Sequence, residues 1–185
     1  MNKRILTVVL GLLLSATATA QVNSAQMNQA SQAMEALKAV EPIELSEKDV
    51  TRFIAAAKEL HESEVDMEVF DDDKVPDSES IGNKIRSNAE ANAIIRKHGF
   101  DADEFAAVSM NVVIAMGASE MKEHQAEIDM AIKQLEAMKG SLPEGQYQMM
   151  VDQVMGASAV FASAPKGNVA LVEKYKPELE AIGDD

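Results

Sequence analysis

Cysteine and tryptophan are both missing from this 185-residue sequence, and aromatic residues make up only 4% of it. Without cysteine there is no disulfide, no thiol nucleophile and no lipid attachment of the bacterial lipoprotein kind. With so few rings, the 46% of hydrophobic residues must build a core from Leu, Ile, Val, Ala and Met. Positive charge is also scarce: 17 Lys and Arg stand against 31 Asp and Glu, a formal charge of −14. That balance excludes a nucleic-acid partner, because binding a polyanion rests on neutralising its phosphates. No Gly-rich phosphate loop and no Gly-x-Ser-x-Gly elbow occurs, and carboxylate pairs are too common to be diagnostic of glycoside chemistry. Glu never precedes a His by three positions: Lys58, Ile95 and Met121 stand there, which excludes the di-iron pattern of helical bundles. No catalytic residue, no cofactor and no enzyme activity are expected. Strands are absent from the pattern as well, with no strict alternation and no Asn-Gly or Asp-Gly hairpin turn.

The first twenty residues carry a targeting signal. Lys3 and Arg4 precede the ten-residue apolar run from Ile5 to Leu14, and Ala18-Thr19-Ala20 follows. A charged start, an apolar centre and a small-residue end are the three parts of a secretory signal peptide. The run is shorter than the roughly 20 residues a bilayer span needs. Cleavage after Ala20 removes Lys3 and Arg4 and leaves 15 basic against 31 acidic residues, a charge of −16. No second long apolar stretch follows, so no stable membrane insertion is expected after cleavage. The expected location is the periplasm, or the medium after secretion.

The mature chain reads as all-α: a bundle of six or seven short to medium helices behind the cleaved signal peptide. Residues 21–41 form an N-terminal helical segment, frayed at its start, with Met27, Ala30, Met34 and Leu37 on one stripe; residues 42–185 form the bundle domain. Ser46 and Asp49 open a helix as a capping box, with Leu45 and Val50 as its staple. Residues 67–77 read as a solvated acidic loop. Ile81, Ile85, Ala89, Asn92 and Ile95 mark one helix that stops at Gly99, and Asp101 caps the next, with Glu104 completing a second box and Phe100 and Phe105 a second staple. A break or kink is expected near Gly117. Pro143 starts another helix, Asn168 caps the last one, and Pro177 bends it.

Met-Gly-Ala-Ser occurs at Met116–Ser119 and again at Met155–Ser158, and small residues there would let helix backbones approach. On that reading Gly156→Leu overpacks the fold. Metal candidates are thin. His61, His98 and His124 flank apolar stripes beside Glu62, Glu64, Glu123 and Glu127, and Met116, Met121 and Met155 offer thioethers suited to Cu(I). No two His share a helix, no Met-x-Met run exists, and Met also fills irregular cores. The region Glu59–Glu79 holds ten carboxylates and one Lys but lacks the ligand alternation and central Gly of an EF-hand.

Leu45-Ser46 before a helix with Phe53, then Gly99-Phe100-Asp101-Ala102-Asp103-Glu104-Phe105, and finally Asn168-Val169-Ala170-Leu171-Val172-Glu173-Lys174-Tyr175 resemble a group of uncharacterised small exported all-helical proteins of proteobacteria. The resemblance spans most of residues 42–182 and implies a helical fold without an activity or site residues. A looser similarity is to periplasmic stress chaperones with a Leu-Thr-x-x-Gln motif. Leu142-Pro143-Glu144-Gly145-Gln146 keeps its ends, has Pro143 in place of Thr, and occurs once. The expected role is a non-catalytic, chaperone-like binding protein with a protein partner in the cell envelope. The alternative is a periplasmic copper- or zinc-binding protein using Met and His.

Overall fold

The computed structural model describes residues 34–63, 65, 77–137, 139–141 and 144–183. Residues 1–20, read above as a signal peptide, Met27 and Ala30, residues 67–76 of the acidic loop and Leu142-Pro143 lie outside the described residues. Residues 34–38 are helical, followed by α1 (Glu47–Glu62), α2 (Ser78–Ser87), α3 (Ala89–Lys97), α4 (Ala102–Glu123), α5 (Gln125–Ala137), α6 (Glu144–Ala162), α7 (Lys166–Lys174), α8 (Lys176–Glu180) and a 3-10 turn over Ala181–Gly183. No strand occurs among the described residues. The all-α reading holds; six or seven helices undercounts them, because two segments read as continuous are divided.

The first division is at Asn88. Its side chain accepts from the backbone N–H groups of Glu90 and Ala91 at 3.1 and 3.0 Å, capping α3, while its own N–H closes α2 on Lys84 and Ile85. A short amide that satisfies two free helix-start donors stabilises the break as much as an ordinary N-cap does. The second division is at Tyr175, between α7 and α8, with Pro177 in the first turn of α8.

Conversely, α4 runs through Gly117 without a break and ends six residues later at Glu123, with His124 as its C-cap. Gly117 is there for space: a Cβ on it would lie 2.6 Å from Cδ1 and 2.7 Å from Cζ of Phe161 on α6. The second Met-Gly-Ala-Ser copy is not equivalent. A Cβ on Gly156 would meet only Lys38, at 3.8 Å. The overpacking expected at Gly156 therefore belongs to Gly117.

Local signals placed the helix starts well. Ser46 Oγ accepts from Asp49 N at 3.2 Å, Asp49 Oδ2 accepts from Ser46 N at 3.0 Å, and Leu45 and Val50 are buried. Gly99 has φ +81°, with Phe100 N–H bonded to Ile95 and Gly99 N–H to Arg96, the paired closure of a left-handed helix exit. Asp101 caps α4 through Glu104 N at 2.7 Å. The expected box is only half made, because the Glu104 carboxylate goes to Arg52 instead, at 2.9 Å. Arg52 also donates to Gly99 O at 2.6 Å and lies 4.1 Å over the Phe100 ring, bracing the corner from α1. Phe105 stacks beneath, 5.4 Å from Phe53 and 5.7 Å from Phe100.

Helix α4 is the axis of the bundle, packed by α1, α2, α6 and α7. Its buried residues, including Phe105, Val108, Met110, Val112, Ile114, Ala115 and Met121, surround it on nearly every side, as expected of a helix that is apolar all round. Asn111 and Asn168 are also buried, and both hold the non-helical stretch before α1. Asn111 Oδ1 accepts from Ile43 N at 3.1 Å and its Nδ2 donates to Glu41 O at 3.2 Å. Asn168 Oδ1 accepts from Leu45 N and its Nδ2 donates to Ile43 O, both at 2.8 Å. Asn168 is thus no helix cap; the N-cap of α7 is Pro165, which makes no side-chain cap bond. An extended backbone inside a helical bundle has no neighbouring strand, so buried amide side chains take the strand's place.

Helices α5 and α6 contact each other, and α6 also packs along α4. Only Ile128 and Leu135 of α5 are buried.

Candidate functional site

The three histidines lie at the C-terminal ends of three different helices. His61 is exposed in the last turn of α1. His98, at the end of α3, sets Nε2 2.7 Å from the Glu59 carboxylate, which also takes Lys97 Nζ at 2.7 Å. Lys97 first, and His98 after it, hold Glu59 below the ordinary carboxylate range. This is a tie between α1 and α3. His124 lies elsewhere, at the junction of α4 and α5.

The methionines divide in the same way. Met121 is buried and Met116 half-buried against the core, as gap-filling residues in a core poor in rings. Met155 is 60% exposed and Met130 56%, the exposed large hydrophobic residues among those described. Of the residues singled out from sequence, His61, His98 and His124 stand at the ends of three different helices, Met116 and Met121 belong to the core, and Met155 is exposed.

One group with metal-ligand chemistry exists among the described residues: Glu120, Glu123 and His124, whose ligand atoms all lie within 4.8 Å of one another. Spacings of three and four put the three side chains on one face at the end of α4. His124 Nδ1 is 2.8 Å from Glu127 Oε2, and Nε2 is 4.0 Å from Glu120 Oε2. Lys176, the first residue of α8, sets its ammonium 2.9 Å from Glu120 Oε1 and 3.0 Å from Glu123 Oε1. Glu120 first, and then Glu123, raise the Lys176 pKa further above the ordinary lysine value, against the opposing effect of burial. Beside it Lys122 pairs with Glu173 at 2.9 Å, so the end of α4 is fastened to both α7 and α8. Sequence reading flagged His124 with Glu123 and Glu127. It missed Glu120, although the Glu-x-x-Glu-His spacing was visible, and Lys176, whose approach depends on the tertiary fold.

No helix among the described residues is long and apolar enough to cross a membrane. No protein-family model, curated protein or solved structure matches the chain.

Proposed function

We propose that this is an exported envelope protein that works by binding rather than by catalysis, gripping exposed apolar segments of protein partners along α5 and α6 in a chaperone-like manner. The observation that carries this reading is where the unburied apolar surface lies. Met130 and Met155 are on this helix pair, and α5 buries only Ile128 and Leu135. Methionine is unbranched and polarisable, and fits varied apolar shapes at little cost in strain, a property suited to a non-selective grip. A charge of −14 over the whole chain keeps such a surface from self-association. The signal-like residues 1–20 support action outside the cytoplasm.

Light scattering of an unfolding client tests the reading. The mature chain at equimolar amounts delays aggregation, and the double variant Met130→Glu/Met155→Glu loses that delay while keeping its helical circular dichroism. Undelayed aggregation of several chemically different clients by the wild-type chain would refute it.

A second reading, divalent-metal binding, is supported by the Glu120, Glu123 and His124 group. Its ligands are carboxylate and imidazole, not the thioethers expected from sequence.

A further inference from the structure

We propose that Met130 and Met155 form a redox-modification site: hydrogen peroxide oxidises these two exposed thioethers to sulfoxides, which releases apolar segments held by α5 and α6, and reduction restores the grip. The consequence for binding rests on the reading of α5 and α6 given above; the place of oxidation does not.

Composition and burial point to this site independently. The chain has no cysteine and no tryptophan, so thioether sulfur is its most readily oxidised side-chain atom. No thiol competes for the oxidant or turns a first oxidation into a disulfide. The fold then sorts the methionines. Met34, Met110 and Met121 are 4%, 4% and 8% exposed, whereas Met130 and Met155 are 56% and 60% exposed. Met116 and Met150 lie between these extremes. Among the described residues, the two most exposed methionines therefore stand on α5 and α6, the helices assigned to the client.

The step is an oxygen transfer. A sulfur lone pair attacks one peroxide oxygen, an S–O bond forms and the O–O bond breaks. The other oxygen leaves as hydroxide and takes the proton of the transferred hydroxyl, giving water. Sulfur loses two electrons and the peroxide gains them. Hydrogen peroxide is uncharged, so the excess of acidic residues does not repel it.

The product is a polar side chain where an apolar one stood. At Met121 the new oxygen would be buried without a donor, at a cost to the fold. At Met130 and Met155 it meets water, so the helices stand and only the apolar surface is lost. A grip that uses the softness and adaptability of the thioether weakens without unfolding. Methionine sulfoxide reductases return the sulfoxide to thioether, which makes the change reversible.

Peptide mass mapping of the mature chain during peroxide treatment, with light scattering of an unfolding client before and after, tests both halves. Met130 and Met155 gain one oxygen on the order of tenfold faster than Met34, Met110 and Met121. The oxidised chain keeps its helical circular dichroism and loses its delay of aggregation, and a sulfoxide reductase with dithiothreitol restores the delay. Met130→Leu/Met155→Leu keeps the volume and apolar character of both positions, and holds the client equally well before and after peroxide. Oxidation of buried and exposed methionines at equal rates would overturn the site. Selective oxidation that leaves the delay intact, or a leucine variant that peroxide inactivates as fully as wild type, would overturn the switch. No delay by the untreated wild-type chain would refute the client reading and the switch with it, a failure read before any oxidant is added.

Discussion

The approach of Phe161 to Gly117 gives the fold's most quantitative test. Replacing Gly117 with alanine adds one methyl group in the middle of α4. On helix propensity alone the change stabilises by about 1 kcal/mol, because glycine is the poorer helix former. Packing opposes it: the new Cβ would lie 2.6 Å from Cδ1 and 2.7 Å from Cζ of Phe161, well inside van der Waals contact. Phe161 is only 4% exposed and cannot swing into solvent. Overpacking of a filled core costs about 1–3 kcal/mol, and a ring edge this close belongs at the upper end. The expected net result is a loss of about 1–2 kcal/mol, or roughly 2–8 °C in Tm for a chain of this size. Urea denaturation followed at 222 nm reads it directly. Gly156→Ala is the internal control: its Cβ meets only Lys38 at 3.8 Å, so the propensity gain stands unopposed and stability rises by up to about 1 kcal/mol. In a Phe161→Leu background the Gly117→Ala penalty shrinks or reverses. Gly117→Ala equal to or more stable than wild type would refute the close approach of α4 and α6.

Asn168→Ala leaves Leu45 N–H and Ile43 C=O without their partner, at about 1–3 kcal/mol for each buried group. A fall of roughly 4–24 °C in Tm is expected by scanning calorimetry, and a fall under 2 °C would contradict the latch. Asp77 is held below the ordinary aspartate value by the backbone N–H of Ser80 first and the Ser80 hydroxyl next, with burial opposing. Its folded-state pKa is depressed, so the unfolded chain takes up the proton first and the stabilisation disappears as pH falls. Wild type and Asp77→Ala should therefore differ in urea midpoint at pH 6, and the gap should narrow as pH falls through and below the ordinary aspartate range; a gap that widens on acidification would contradict the sign. Disrupting the Arg52 brace with Arg52→Ala removes its bonds to Gly99 O, Asp49 and Glu104, and should speed amide exchange at Gly99 and Phe100 relative to the α4 interior.

Features decided within a few residues were legible in the sequence. The Ser46 box, the Leu45 and Val50 staple and the left-handed Gly99 depend on backbone donors no more than five positions away, and each formed as read. The failures share one cause, a distant partner. Gly117 looked like a helix break, but glycine in a helix can serve either flexibility or close contact, and only Phe161, 44 positions on, decides between them. Asn168 looked like a cap because it follows Pro165 and Gly167; its amide instead serves backbone 123 and 125 positions earlier. Glu104 was expected to return to its own helix start, and Arg52 captured it from α1. Asn88 shows the reverse case, a cap whose signal is local but was hidden inside a continuous apolar stripe. For the candidate site, the spacing of Glu120, Glu123 and His124 was visible, whereas Lys176 arrives from α8. The methionines could not be sorted by sequence, since Met121 in the core and Met155 in solvent obey the same helical spacing.

Hydrogen exchange of the mature chain with and without a bound unfolded client tests the functional reading at its root. Because α5 buries so little, its amides should exchange early in the free protein, well before those of α4. On client binding, new protection should appear across Gln125–Ala137 and Glu144–Ala162, with α2, α3 and α7 unchanged. Protection confined to other helices, or none while the client is demonstrably held, would contradict the assignment of binding to α5 and α6.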